Sequence, residues 1–206
     1  MTRKDIIRNH IIDTARILFL KNNINEVLIS DVAKEAGVGE ATIYRYFSKK
    51  QNLILEVAIK EWNDISEDFN IIDDTTGFNQ IKIFYNLFLD IYKANKRFYS
   101  FIDELDSFIL VDKNINKSEY QKALNNVFIR FIEIYQKGIK DKSINEIDNI
   151  KLFYYATTHS LLSLAKKLSR ASLVESDLEF NNGEELELII NLILNKLERK
   201  EEKWKD

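Results

Sequence analysis

No proline occurs anywhere in the 206 residues, and there are only five glycines. Proline ends a helix by removing a donor and crowding the preceding turn, so a chain without it has few backbone breaks. Long helices joined by short polar turns fit such a composition best. Cysteine is absent as well, which excludes disulfides, thiolate metal sites and cysteine nucleophiles. Long apolar runs are missing too: no stretch approaches the roughly 18 uncharged apolar residues that a membrane span requires. The opening Met1-Thr2-Arg3-Lys4-Asp5 leads into an amphipathic segment, unlike a secretory signal. The expected address is the cytoplasm, with no membrane partner.

What is present is ordinary in amount and uneven in distribution. Apolar residues make up 45% and charged residues 31%, as in a typical soluble globular protein. At 24.3 kDa the chain can bury a sizeable core, as one large domain or as a small head on a larger body. The net charge is −3. Residues 1–55 nevertheless hold nine basic side chains against six acidic ones, so the remainder is distinctly acidic. A basic head on an acidic body suits a protein that meets a polyanion with one end only.

Apolar spacing is helical nearly throughout. Ile7, Ile11, Ala15 and Leu18 mark a first helix, followed by short helices at about 29–36 and 40–46. A fourth runs from about Lys50 through Leu53, Val57 and Trp62 to 71, and is broken by Asp73-Asp74-Thr75-Thr76-Gly77. Thr75 or Thr76 can cap the fifth. The fifth carries Phe78, Ile81, Tyr85, Phe88 and Tyr92; the sixth carries Phe98, Phe101, Leu105 and Phe108. A seventh, with Tyr120, Val127, Phe128, Phe131 and Tyr135, ends near Gly138. An eighth spans about 145–171, then a polar connection from Ser172 to Gly183, then a ninth to about 200. No alternating run and no internal repeat is found. The expected fold is all-α, with about nine helices.

The sharpest pattern lies at residues 29–47. Two short helices crossing steeply need a small residue where they approach, and Ala33 supplies it. A residue tolerant of positive φ must end the first helix, and Gly37 does so without steric cost. Apolar side chains from the second helix must plug the gap, and Val38 and Ile43 do this. Ala33, Gly37 and Ile43 thus have helix-turn-helix spacing, although an αα-corner without a ligand shares it.

The flanking residues extend the pattern. Arg8-x-x-Ile11-Ile12-x-Thr14-Ala15-x-x-Leu18-Phe19, then Val32-Ala33-x-x-Ala36-Gly37-Val38, then Thr42-Ile43-Tyr44-x-Tyr46-Phe47-x-x-Lys50-x-x-Leu53 resemble the N-terminal domain of the TetR family of bacterial repressors. The chain departs from that family at Asn23, where glycine is usual; asparagine also tolerates the left-handed region. Val27 and Leu28 stand where hydroxyl residues usually precede the second helix, so its cap must come from elsewhere, with Ser30 the candidate. Gly39 and Ala41 stand where the recognition helix usually has serine and glycine. Gly39 remains an acceptable cap.

The resemblance implies a three-helix DNA-binding domain over residues 1–50 and a ligand-binding and dimerisation domain over 51–206. Glu40, Ala41, Thr42 and Arg45, opening the recognition helix, are the candidates for base edges, with Gly39 as its cap. Arg45 suits a guanine, and Ala41 and Thr42 suit a thymine methyl. Glu40 repels phosphate unless it accepts from a cytosine amine, and otherwise reads as a solvated or paired acid. Tyr44, Tyr46 and Lys50 resemble the family's phosphate contacts. Ile43 and Phe47 read as core, and His10 as a surface residue.

In the ninth helix Leu186, Leu188, Ile189, Ile190, Leu192, Ile193, Leu194 and Leu197 cover nearly the whole circumference, more than one neighbour can bury. The eighth has Tyr154, Leu161 and Ala165 on one face and Leu152, Tyr155 and Leu162 on another. The pair at about 145–171 and 183–200 therefore reads as a homodimer interface, which the resemblance also implies. A two-fold dimer sets two heads on the order of 34 Å apart on double-stranded DNA, so a palindromic operator is expected. The aromatic-rich fifth to seventh helices are the expected place for an unknown small apolar effector. Tyr85, Phe88, Phe101, Tyr120, Phe128 and His159 are its candidate contacts, with plain core packing as the alternative for each. No cofactor and no metal is expected.

Two rival classes remain. A di-iron helical enzyme needs Glu-x-x-His pairs, but His10 and His159 follow Ile7 and Ala156 at that spacing, and Asp103, Glu104 and Asp106 read as a solvated face. An effector-independent DNA-binding or protein-interaction module would keep the same head.

Overall fold

The computed structural model describes residues 2–68, 74–111, 115–170 and 183–200. Nine helices lie among them: α1 (Arg3–Lys21), α2 (Ile29–Glu35), α3 (Glu40–Phe47), α4 (Lys50–Asp68), α5 (Gly77–Asn95), α6 (Arg97–Val111), α7 (Ser118–Lys140), α8 (Ile150–Ser169) and α9 (Glu184–Leu197). The only β pairing among the described residues is an isolated antiparallel bridge, Ile144 with Glu198. The expected end of α4 at 69–71, Asp73 of the cluster after it, and the polar connection over 172–182 lie outside the described residues.

Helix starts follow from local hydrogen bonding. Thr2 and Asp5 satisfy each other's amides at the start of α1, at 3.2 and 2.8 Å, a reciprocal box that fixes the first turn. Leu28 cannot cap α2. Asp31 does the work instead of Ser30, its carboxylate accepting the Leu28 N–H at 2.8 Å, because an acid three residues into a helix reaches back to the cap position. Thr76 caps α5, as expected, by accepting from Asn79 N–H at 3.3 Å. Asn23 is not among the described residues of positive φ, which are Gly37, Ser48, Lys142 and Gly183. It turns the chain by accepting the Asn25 N–H on its own side-chain oxygen at 2.8 Å, a local bond that competes with helix.

The chain forms two compact units. The first comprises residues 1–65 with 97–125. Its core holds Ile11, Phe19, Ile24, Ile43, Leu53 and Phe101, all fully buried, and Phe19 stacks on Phe101 with ring centroids 6.4 Å apart. The second comprises residues 66–96 with 126–206. There Phe84, Tyr85, Phe131 and Tyr154 pack ring against ring, with centroids 4.9–6.2 Å apart. The divisions fall within α4, between α5 and α6, and within α7.

Two boundaries differ from expectation. Helix α7 runs past Gly138 to Lys140, because this glycine serves close packing rather than termination. A Cβ on Gly77 would meet the Gly138 backbone nitrogen at 2.1 Å, and one on Gly138 would meet Ile144 Cδ1 at 2.1 Å. Helix α8 starts at 150 rather than 145: Ile144 bridges Glu198, Asn145 N–H goes to Leu197 O at 2.7 Å, and Asn149 caps the helix by accepting the Leu152 N–H at 3.0 Å.

The Gly77 contact is against backbone, which cannot rotate away. Gly77→Ala should therefore lower unfolding free energy by about 3 kcal/mol, the upper part of the overpacking range, as read by urea denaturation. A loss below ~0.5 kcal/mol would mean that the α5–α7 approach is looser than described.

Candidate nucleic-acid interface

Helix α3 is amphipathic in the plainest way. Ile43 and Phe47 are buried at 0% and 3% exposure, while Glu40, Ala41, Tyr44 and Arg45 are exposed and Thr42 is half-buried. Positions 40, 41, 44 and 45 share one face because the helix turns 100° per residue. The turn before it is built as its sequence demands. Gly37 has φ +63°, Val38 N–H donates to Ala33 O at 3.0 Å, and Ala33 is buried at 4% exposure. Gly39 occupies the cap position in extended conformation, and Thr42 N–H donates to its carbonyl at 2.8 Å.

The outward groups form a donor-rich surface. The Arg45 guanidinium lies over the Tyr46 ring, 5.5 Å from its centroid, which limits its rotamers without using its hydrogen bonds. Tyr44 is 47% exposed, and Tyr46 is half-buried against Phe47, ring centroids 6.2 Å apart. Between α3 and α4, Ser48 takes φ +60° in a tight turn closed by Lys49 N–H on Phe47 O at 2.6 Å.

Lys50 opens α4 half-buried, and its ammonium donates to the Ile24 carbonyl. Burial holds its pKa below the ordinary lysine value, with Asp31 opposing. One of three ammonium donors is thus used, leaving two for an anion. Ion pairs tie α1 to α4 behind this surface: Arg8–Glu56 at 2.5 Å, Asp13–Lys60 at 2.8 Å, and Arg16 with the buried Glu61. A cleft of about 260 Å³ lies between these two helices. Its charged walls offer little to an apolar effector.

Sequence reasoning missed several contacts. His10 is exposed, but its Nε2 lies 3.2 Å from the carbonyl oxygen of Ala36, the C-cap of α2. Glu104 is not part of a solvated face: its side chain is 16% exposed and pairs with Arg97 at 2.5 Å. The spacing of seven between them, two turns on one helix face, was the available signal.

The six candidate effector contacts divide between the two units. Phe101 packs on Phe19, and the Tyr120 hydroxyl accepts from Trp62 Nε1 at 3.3 Å, both in the first unit. Tyr85, Phe88, Phe128 and His159 belong to the second. Tyr85 is fully buried, with its hydroxyl 2.8 Å from that of Thr157. Phe88 sits beside Phe84 at 6.3 Å, and Phe128 beside Tyr154 at 5.0 Å. His159 corrects an expectation: it is exposed on α8, 5.5 Å from the Tyr155 ring. Position 159 faces away from Thr158 and Leu161, which take the buried side.

That exposed side of α8 continues a pattern. Leu152 and Tyr155 are 64% and 36% exposed, and on α9 Leu188 and Leu192 are 61% and 58% exposed. The opposite faces bury Tyr154, Leu161, Leu186 and Ile190. Each helix thus carries an apolar set that its own fold leaves uncovered. Among the described residues there is no group of three or more His, Asp or Glu that could hold a metal ion. No described helix is long and apolar enough to cross a membrane.

Comparison with known proteins fits this geometry. Residues 11–57 match the bacterial regulatory proteins of the tetR family. An HTH-type transcriptional regulator of Staphylococcus aureus (strain bovine RF122 / ET3-1) is 34% identical over 74 residues, 35% of this chain and 40% of that relative. The chain therefore aligns with less than half the length of this curated relative. Among solved structures, the regulator FadR of Bacillus subtilis, in complex with stearoyl-CoA, superposes with a TM-score of 0.66 at 16% identity, covering 92% of this chain and 98% of that one. FadR of Bacillus halodurans gives 0.66 at 18%, covering 91% and 97%. A putative TetR-family regulator of Vibrio parahaemolyticus gives 0.57 at 18%, covering 94% and 100%. These likenesses concern the fold.

Proposed function

We propose that this chain, whose residues 11–57 match the bacterial regulatory proteins of the tetR family, is a repressor of that kind, which binds a palindromic operator as a homodimer and is released by a small apolar or amphipathic effector. Residues 1–50 read DNA, and residues 51–206 sense and dimerise. This division is one of function, since the compact unit containing the head extends to residue 65 and takes in 97–125.

The observation that carries the reading is the exposed face of α3, with Glu40, Ala41, Tyr44 and Arg45 directed outward over buried Ile43 and Phe47. Arg45 offers a forked donor to a guanine, Ala41 and Thr42 offer methyl contacts, and Tyr44, Tyr46 and Lys50 offer phosphate donors. The uncovered apolar faces of α8 and α9 support self-association. Two heads held by one dimer convert the second contact into an intramolecular event, which raises affinity without new contacts. Tyr85, Phe88 and Phe128 are the proposed effector contacts. An acyl chain suits an aromatic lining, and the same fold accommodates stearoyl-CoA in the B. subtilis regulator.

Release follows if the effector favours a head spacing that no longer fits successive major grooves, with α4 carrying the change. Linkage then requires operator DNA to weaken effector binding by the same factor. The alternative, an effector-independent module with the same head, draws support from the ring-to-ring packing around Phe84 and Phe131. Organic extraction of purified protein followed by mass spectrometry separates the two readings: a stoichiometric lipophile supports the sensor.

Selection of duplexes from a randomised pool tests the head. Enrichment of a palindrome is expected, and no salt-sensitive affinity for any duplex would refute the reading. On the enriched duplex Arg45→Ala should cost about 1–3 kcal/mol and relax preference at one base pair per half-site. Lys50→Ala should instead weaken all sequences alike and reduce the salt slope by about 0.9 per head.

A further inference from the structure

Three backbone groups of the turn between α1 and α2 are held by side chains from far along the chain. Arg97, the first residue of α6, donates Nη2 to Asn22 O at 2.5 Å. Its Nη1 and Nη2 also reach the two Glu104 carboxylate oxygens at 2.5 and 2.9 Å. Glu104 Oε2 accepts the Ile24 N–H at 2.8 Å. On the other side of the same residue, the Ile24 carbonyl accepts from Lys50. Ile24 is fully buried, and the Arg97 and Glu104 side chains are 23% and 16% exposed.

The arrangement is specific in direction. A guanidinium fork on a carboxylate fixes the orientation of both planes, so the pair presents one donor and one acceptor to the turn at set positions. Residues 22–24 lie between helices and lack intrahelical partners for these groups. Left unmet in a largely buried setting, each would be a destabilising orphan. The turn therefore follows α6. Lys50 hydrogen-bonds that turn, so its ammonium follows in its wake.

We propose that the Arg97–Glu104 pair is a positioning device for DNA contact: it fixes the α1–α2 turn and, through the Ile24 carbonyl, the site of the Lys50 ammonium at the start of α4. This rests on the reading of Lys50 as a phosphate contact. It gives α6 an influence on the head that does not depend on movement along α4. Arg97 and Glu104 touch no DNA in this scheme; they act through Lys50.

The test uses the full chain and the duplex that the wild-type protein enriches from a randomised pool, with affinity measured across a salt series. Arg97→Met keeps the packing of the stem and removes its hydrogen bonds. Its salt slope should fall by as much as that of Lys50→Ala, about 0.9 per head, with the ranking of duplexes unchanged. The double variant should lose no more than Lys50→Ala alone, and Arg97→Lys should recover part of the slope. Should Arg97→Met not fold, Glu104→Gln removes the ion pair while keeping an acceptor for Ile24 N–H, and the same reduction in slope is expected. An unchanged slope with a lower melting temperature, or additive losses in the double variant, would overturn the proposal and leave the pair a stabilising contact only. A wild-type chain without salt-sensitive DNA affinity would overturn the parent reading as well, so the two failures are distinguishable.

Discussion

The proposed homodimer should sediment at twice 24.3 kDa, and replacing Leu188 and Leu192 of α9 with glutamate should reduce it to 24.3 kDa in sedimentation equilibrium. Both leucines are more than half exposed in the single chain, so the substitutions remove little packing from the subunit itself, and helical circular dichroism should be unchanged. In a two-fold interface each substitution appears twice, which sets four carboxylates into an apolar contact. Burial of a leucine contributes about 1.5–3 kcal/mol, and an unpaired buried charge costs more than that gain. Operator affinity should fall by roughly 10²–10⁴-fold, the usual value of linking two sites. Retention of the dimer would remove α9 from the interface. Loss of the dimer with undiminished operator affinity would show that one head suffices.

Alkaline titration should unfold the protein between pH 10 and 12. Burial pushes the phenol of Tyr120 up to about 12, with the hydrogen bond from Trp62 opposing, and raises Tyr85 and Tyr154 further in the same direction. The folded chain therefore keeps protons that the unfolded chain releases from about pH 10. Stability from these groups is complete below pH 10 and drains away as pH climbs toward the folded values. Tyr120 alone accounts for about 3 kcal/mol over that window, at 1.36 kcal/mol for each pKa unit. The three together exceed the margin of many domains. In absorbance at 295 nm, Tyr85, Tyr120 and Tyr154 should ionise in one step, together with loss of helical signal. Tyr120→Phe should move that step to higher pH. Smooth ionisation of these three with helicity intact would mean that their hydroxyls reach solvent.

Part of the molecule could be read directly from residue order. Ala33, Gly37 and Ile43 announce a steep helix pair because each answers a steric demand made within eleven residues, and the fold meets all three as expected. The surplus of leucine and isoleucine on α9 likewise announces an uncovered face, since a helix has one circumference and a single subunit covers only part of it. The cap of α2 was nearly legible. Leu28 could not serve, and Asp31 lay three residues on.

Other assignments required the chain to be folded. Whether an aromatic side chain belongs to one cluster or another depends on which helices pack together, and helical spacing is the same in both cases. Phe101 and Tyr120 accordingly joined the first unit, with Phe19 and Trp62, while Tyr85 and Phe128 joined the second. His159 turned outward because one residue along a helix is a rotation of 100°, and neighbouring Thr158 took the buried side.

Local pattern by itself determined the kind of element, its approximate limits and the exposed face of α3. These rest on interactions spanning a few residues, which sequence displays in order. Only the tertiary structure decided that the Ile24 carbonyl receives Lys50, that its amide goes to Glu104 from eighty residues away, and that Ala36 meets His10. Such partners are chosen by which buried backbone groups remain unsatisfied after the helices dock, a quantity that does not exist until they do.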